Sequence, residues 1–258
     1  MINIQDLAKE YPANLASKGR AILREYLQYK MLNIIFNSKF MDKLSFIGGT
    51  ALRIAHNNQR FSEDLDFDNF NLTISDFEEL ISTISSKLEQ EGYKIEYNIS
   101  EKGAFRGNIK FLNLLDDLDL AVASTEKLLI QIDTAPHNFD YKPDLKLIQK
   151  FDVFTKINVT PIDIILSQKI RALFERNRVL GRDLYDIVFL CGKTKPNYPY
   201  LQAKLNIKNS TQLYQKLVEF LESINIKDLQ KDIESFIFDE TDLQKLSLWK
   251  ESIDQIGL

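Results

Sequence analysis

The 258-residue chain carries 33 Lys and Arg side chains against 37 Asp and Glu, a formal net charge of -4 at pH 7. Its hydrophobic content of 44% is enough for a packed core, and its negative charge argues against indiscriminate binding to nucleic acid. A single cysteine, Cys191, excludes intrachain disulfides, and two histidines at positions 56 and 137 offer no zinc spacing. The N-terminus lacks the apolar run of a signal peptide and no stretch reaches membrane-span length, so we expect a cytoplasmic protein without membrane contact.

The hydrophobic pattern of the first 160 residues alternates between helical and strand periods, which predicts an α+β domain. The predicted helices cover 18–37, 50–57 and a segment that begins near Ser75, which would cap it, and ends before Gly92. Strands are predicted directly before Gly48 and over 62–68, 93–99, 104–112, 127–133 and 146–159.

From Pro161 onward the pattern becomes helical throughout. Helices are predicted over 161–178 and 182–192, with several more between 199 and 257. Pro161 suits the first turn of a helix, with Thr160 as its cap. We therefore expect a domain over 1–160 and a helical bundle over 161–258, with Cys191 in the bundle core.

Gly48-Gly49-Thr50 follows an apolar strand-like run and precedes a helix. This order predicts a turn that directs backbone N–H groups and the positive end of the helix toward an anion. Gly49 and Thr50 are therefore candidate phosphate-binding residues.

Asp64, Asp66 and Asp68 alternate along the next predicted strand and so share one of its faces. Carboxylates about 6–7 Å apart repel by about 2–3 kcal/mol at an effective dielectric near 20, which favours a bound cation. A solvated acidic edge strand is the alternative, and the nearby Gly-Gly-Thr turn favours a metal site. Ser62 lies on the same side by alternation, where it would contact phosphate or be a surface hydroxyl.

Gly49-Thr50, thirteen intervening residues and Asp64-x-Asp66 resemble motif one of the polymerase-beta-like nucleotidyltransferases. Together with the later segment SQKIRALFERNRVLGRDLYDI, this region resembles the AbiEii/AbiGii group, toxins of type IV toxin–antitoxin and abortive-infection systems. The resemblance covers residues 17–192. It implies a nucleotidyltransferase-type mixed sheet flanked by helices, with a C-terminal bundle that contributes a Lys/Asp motif to the active-site cleft.

The resemblance also implies a third carboxylate on a strand beside the Asp-x-Asp strand, where it binds metal and helps to deprotonate the attacking hydroxyl. Asp133, at the end of the strand-like run 127–133, is the best candidate. Asp116, Asp117 and Asp119 fall in a turn-like stretch and are poorer candidates. The expected metal ligands are therefore Asp64, Asp66 and Asp133.

Lys169 lies at helical spacing between Ile165 and Leu173, so it projects from the face expected to pack inward. A buried ammonium requires an anion or a cleft, and Arg176 follows near the same face. Both cations could stabilise a triphosphate. Alternatively, Lys169 extends to the rim and pairs with a glutamate.

Asp183 and Asp186 are three residues apart on the next helix and lie toward the preceding one. They could orient Lys169 or hold the base and ribose of a nucleotide, although Asp186 could also form a local pair with Arg182. In the family that this chain resembles, a lysine and a downstream aspartate of this region belong to the active site. This favours Lys169 and Asp186, with Asp183 as the rival.

The function that the resemblance implies is transfer of NMP from an NTP, with GTP or CTP favoured, to an acceptor hydroxyl in the presence of Mg²⁺ or Mn²⁺. RNA is the expected acceptor, with a transfer RNA 3′ end as one target class, and the cognate antitoxin need not bind stably. A protein or small-molecule acceptor is one alternative. A catalytically silent nucleotide-binding scaffold is another.

Overall fold

The computed structural model describes residues 3–123, 125–222 and 224–257 and divides the chain into two units. The first contains Phe61–Asn138, Pro143–Val159 and the chain before His56. The second contains His56–Arg60, Phe139–Lys142 and the chain from Thr160 onward. Two short segments from the first 160 residues thus belong to the helical unit.

The first unit is built on a seven-stranded mixed sheet in the order β3-β4-β5-β2-β1-β7-β6. Two pairings, β2 with β5 and β1 with β7, are parallel, and the other neighbours are antiparallel. This mixed sheet with flanking helices confirms the predicted α+β class. The strands are β1 Leu44–Ile47, β2 Leu65–Asn69, β3 Ile95–Glu101, β4 Phe105–Phe111, β5 Leu128–Pro136, β6 Asp144–Lys150 and β7 Val153–Val159.

The helices of the first unit bury apolar stripes against this sheet. Helix α4 turns residues at i, i+3 and i+4 inward, including Phe77, Leu80 and Ile84, and packs on β3 and β4. Helix α2 is almost entirely buried and packs on β7 and α4. The helices are α1 Ile4–Ala8, α2 Gly19–Phe36, α3 Gly48–His56, α4 Ile74–Gln90 and α5 Leu114–Asp117.

Three predicted boundaries in this unit are wrong. Helix α4 is capped by Thr73 and not by Ser75, because Thr73 and Asp76 form a reciprocal capping box. The predicted strand 146–159 is a hairpin, β6–β7, whose turn contains Phe151 at φ 56°. Strand β2 begins at Leu65, and the backbone carbonyls of Ser62 and Glu63 instead accept hydrogen bonds of 3.1 and 2.9 Å from Gln28 Nε2.

The second unit is helical, as the pattern after Pro161 predicts. Its first helix begins at Ile162 with Pro161 as the N-cap, so the predicted Thr160 cap is wrong. The Thr160 hydroxyl is hydrogen-bonded at 2.7 Å to the Tyr141 hydroxyl instead. The helices are α6 Ile162–Glu175, α7 Gly181–Cys191, α8 Tyr198–Leu205, α9 Ser210–Glu222, α10 Ile226–Ile233, α11 Leu243–Ser247 and α12 Trp249–Gly257.

The core of this unit contains Leu184, Ile187, Leu217 and the predicted core residue Cys191, whose thiol pKa burial raises to about 12. Within the described part of the chain, no helix combines the length and apolarity needed to cross a membrane.

Candidate active site

The Gly-Gly-Thr segment lies at the start of α3, immediately after β1. Gly48 adopts φ +79°, and a Cβ at this position would overlap the carboxylate of Asp66. Glycine is therefore required here both by the left-handed backbone and by the close approach of an acidic side chain. The Thr50 hydroxyl is buried and donates a hydrogen bond to the Asp64 carbonyl oxygen, which ties the start of the helix to the segment before β2.

Strand β2 places Asp66 beside Asp133 of β5. The two residues are partners in a parallel register, so their side chains leave the same face of the sheet. Asp64 directly precedes β2. Asp68, the third acid of the row, is buried, and its Oδ1 lies 3.0 Å from His137 Nδ1.

Arg106 on β4 holds Asp133 through two contacts, Nε to Oδ1 at 2.9 Å and Nη2 to Oδ2 at 2.8 Å. Gln131 Nε2 donates a further hydrogen bond of 3.0 Å to Oδ2. Asp133 raises the pKa of Arg106, and the negative charges of Asp64 and Asp66 add to this effect. Asp64 and Asp66, at the start of β2, therefore share an electrostatic environment with this guanidinium.

The sequence gives no signal for Arg106. An arginine among the strand residues Phe105–Phe111 is compatible with any solvated strand face. Only the antiparallel register, in which Arg106 is the partner of Asp133, brings the two side chains together.

A divalent cation is the group that such a site would hold, and carboxylate oxygens are the ligands that Mg²⁺ prefers. One or two protein carboxylates are usual for Mg²⁺, so the chemistry of Asp64 and Asp66 fits it. Within the described ranges, no three His, Cys, Asp or Glu side chains converge as a metal-binding group. Asp133 is held by Arg106 in this arrangement.

The second unit contains a buried ion cluster around Asp186. Arg60 donates to both carboxylate oxygens, from Nε at 2.7 Å and from Nη2 at 2.6 Å, and Asn58 Nδ2 donates at 2.9 Å. Lys169 Nζ lies 2.8 Å from the same carboxylate. Burial alone would raise the pKa of Asp186, but the charges of Arg60 and Lys169 lower it to about 2.

Asp183 extends this cluster toward the end of α6. Its carboxylate lies 3.3 Å from Lys169 Nζ and 2.6 Å from Arg176 Nη1. The structure thus brings together the four residues predicted in this unit: Lys169, Arg176, Asp183 and Asp186. The acids that meet Lys169 are aspartates of α7, and the cation that holds Asp186 most closely is Arg60.

Arg60 and Asn58 were not predicted. They lie in the segment between α3 and β2, which carries no periodic pattern that would indicate burial. A fully buried arginine is rare, and its only sequence signal would be an acidic partner that is 126 residues away.

Residues 30–255 match the family model described as the nucleotidyl transferase AbiEii toxin of type IV toxin–antitoxin systems. The chain belongs to this AbiEii family. This confirms the predicted family and the predicted enzyme class, a nucleotidyltransferase toxin of a type IV toxin–antitoxin system. No curated protein matches the sequence.

Solved structures share the fold of this AbiEii chain at low sequence identity. MenT4, a nucleotidyltransferase toxin from Mycobacterium tuberculosis H37Rv, is 14% identical with a TM-score of 0.66, over 99% of this chain and 90% of that one. JHP933 from Helicobacter pylori is 19% identical with a TM-score of 0.59, over 92% of this chain and 93% of that one. A putative nucleotidyltransferase from H. pylori has the same identity and TM-score, over 92% of this chain and 96% of that one.

Proposed function

We propose that this AbiEii-family enzyme transfers NMP from an NTP to a hydroxyl of an RNA acceptor, with a divalent cation as cofactor. The observation that carries the proposal is the register of β2 and β5, which sets Asp66 beside Asp133, with Gly48 at the start of α3 packed against the Asp66 carboxylate. A helix start suited to phosphate thus lies next to a pair of acids suited to a cation.

Asp64 and Asp66 would hold the cation, Mg²⁺ or Mn²⁺, and Asp133 would join them. When bound there, the ion would supply positive charge to neutralise the negative charge that develops on the transferred phosphoryl group. Asp133 would accept the proton of the attacking hydroxyl. The hydrogen bond from the Thr50 hydroxyl to the Asp64 carbonyl oxygen fixes the backbone of Asp64. The α-phosphate then forms a bond to the acceptor oxygen as its bond to the pyrophosphate oxygen breaks.

Backbone N–H groups at Gly49 and Thr50 would bind the phosphates, and the Ser62 hydroxyl would add a further contact. In the second unit, Lys169 and Arg176 are the proposed phosphate cations. Asp186 and Asp183 hold these cations at 2.8 and 2.6 Å, which supports a positioning role for Asp186. Asp183 is in addition the candidate for contact with the base or ribose.

The finer identity of the substrates rests on the family resemblance. GTP or CTP is the proposed donor, a transfer RNA 3′ end is one acceptor class, and the antitoxin need not bind stably. Because both substrates belong to the cytoplasm, we place the activity there. With a net charge of -4, RNA contact must be local, and the basic stretch around Arg171, Arg178 and Arg182 is the candidate surface.

The test is incubation with each α-³²P-labelled NTP, Mg²⁺ and total RNA, followed by a denaturing gel. Asp66→Asn removes one charge from the proposed metal site, and Asp144→Asn, on the edge strand β6 of the same sheet, is the matched control. We expect a labelled RNA band with the wild type and with Asp144→Asn, but not with Asp66→Asn.

Three results would contradict the proposal. Equal labelling by the Asp66→Asn protein would exclude the proposed metal ligands. Release of pyrophosphate without label in RNA would show that the acceptor is not RNA, and would favour a protein or a small molecule as the acceptor. Nucleotide binding with neither signal would exclude transfer altogether.

A further inference from the structure

Arg106 and Asp133 form an ion pair. Arg106 Nε donates to Asp133 Oδ1 at 2.9 Å and Arg106 Nη2 donates to Oδ2 at 2.8 Å, so the guanidinium covers both carboxylate oxygens. Gln131 adds a third donor to Oδ2. A cation that binds Asp133 must therefore compete with Arg106 for the same oxygens.

A divalent cation bound by Asp64 and Asp66 would disturb this ion pair. Asp66 is the register partner of Asp133, and the charges of Asp64 and Asp66 act on Arg106. A divalent ion held by these acids would repel the guanidinium and attract the Asp133 carboxylate. The Arg106 side chain is 52% exposed, so it can leave the carboxylate without becoming a buried charge.

We propose that Arg106 is a positioning residue that holds Asp133 in the metal-free enzyme and is displaced from it when a divalent cation binds. The inference rests on the proposed function, because it takes Asp64, Asp66 and Asp133 as the metal ligands.

The test is the affinity of the full-length chain for Mn²⁺ without nucleotide, measured from the electron paramagnetic resonance signal of free Mn²⁺. Arg106→Ala removes the competitor, so we expect Mn²⁺ to bind about fivefold more tightly, the equivalent of an exposed ion pair of about 1 kcal/mol. Arg106→Lys keeps the charge but loses the fork, and we expect an affinity between those of the wild type and Arg106→Ala.

Lys110→Ala is the matched control. Lys110 lies on the same face of β4 as Arg106 and pairs with Glu96 at 3.2 Å, so its removal makes the same charge change away from Asp133. We expect Lys110→Ala to bind Mn²⁺ like the wild type. An Arg106→Ala protein that binds Mn²⁺ no more tightly than Lys110→Ala, or more weakly than the wild type, would overturn the inference.

The same titration separates this inference from the proposed function. If the wild type binds no Mn²⁺, both the proposed metal site and the displacement of Arg106 are wrong. If it binds Mn²⁺ and Asp66→Asn does not, the metal site stands, and an unchanged affinity in Arg106→Ala overturns the role of Arg106 alone. If Arg106→Ala binds Mn²⁺ more tightly but the wild type transfers no NMP, the inference about Arg106 is supported and the proposed reaction is wrong.

Discussion

Two arginine–aspartate pairs in this enzyme have the same bidentate geometry and very different surroundings. The side chains of Arg60 and Asp186 are 2% and 0% exposed, whereas those of Arg106 and Asp133 are 52% and 23% exposed. A buried pair cannot separate without leaving an uncompensated charge in the core, but an exposed pair can exchange its partner for water or another ion. The buried Arg60–Asp186 pair is therefore expected to stay intact, whereas the exposed Arg106–Asp133 pair can open to bind a ligand.

The strongest test of this comparison is loss of the buried arginine. We expect Arg60→Ala to lower the free energy of unfolding by about 3–5 kcal/mol, because the Asp186 carboxylate stays buried without its main partner. Arg106→Ala should lower it by no more than about 1 kcal/mol. Urea denaturation of both variants measures the difference, and equal losses would show that burial does not separate the two pairs.

Gly48→Ala tests the close packing beside the exposed pair. We expect a loss of about 2–3 kcal/mol, since alanine is strained at φ +79° and its Cβ must also displace the Asp66 carboxylate. Gly103→Ala is the control, because Gly103 has φ +74° but open space around the added Cβ. Thermal denaturation should show a smaller loss for Gly103→Ala, and equal losses would argue against the contact with Asp66.

The pH dependence of stability should report the buried pair. The pKa of Asp186 is lowered from 3.8 to about 2 in the folded chain, so its contribution is complete above about pH 4 and is lost as the pH falls toward 2. We expect a decrease of about 2 kcal/mol across this range from Asp186. Urea midpoints between pH 2 and 6 should fall less steeply in Asp186→Asn than in the wild type; identical slopes would contradict the assignment.

Asp66→Asn should have the smallest effect on stability. Removing one charge from neighbouring carboxylates relieves repulsion, so we expect the free energy of unfolding to stay unchanged or to rise by up to about 1 kcal/mol. Its nucleotidyl transfer should nevertheless be lost. A destabilisation of more than about 2 kcal/mol would instead make Asp66 a structural residue like Asp186.

Sequence reasoning predicted the elements whose evidence is local. The helix α2 and the stripe of α4 follow from periodicity, and the turn into α3 follows from glycine at the end of an apolar run, although α3 begins at Gly48 and not at residue 50 as predicted. The β6–β7 turn was missed because Lys150-Phe151-Asp152 contains no glycine or proline. Phe151 adopts its left-handed backbone while its ring packs against those of Tyr11, Tyr26 and Tyr29, which are contacts made by tertiary structure.

The same limit applies to the candidate site. Asp64, Asp66 and Lys169 could be selected from alternation, spacing and burial. The pairing of Arg106 with Asp133 depends on strand register, and that of Arg60 with Asp186 on contact across 126 residues. Neither long-range pairing leaves a trace in a single sequence.

The position of Arg60 in the chain also has a consequence for biosynthesis. Arg60 and its neighbours 56–60 belong to the helical unit but are translated long before α6 and α7. At about 5–20 residues per second, the ribosome needs about 6–25 seconds to add the residues that separate Arg60 from Asp186. The buried ion pair of the helical unit can therefore form only after α7 has been synthesised, and a fragment that begins at Thr160 would lack both Arg60 and Asn58.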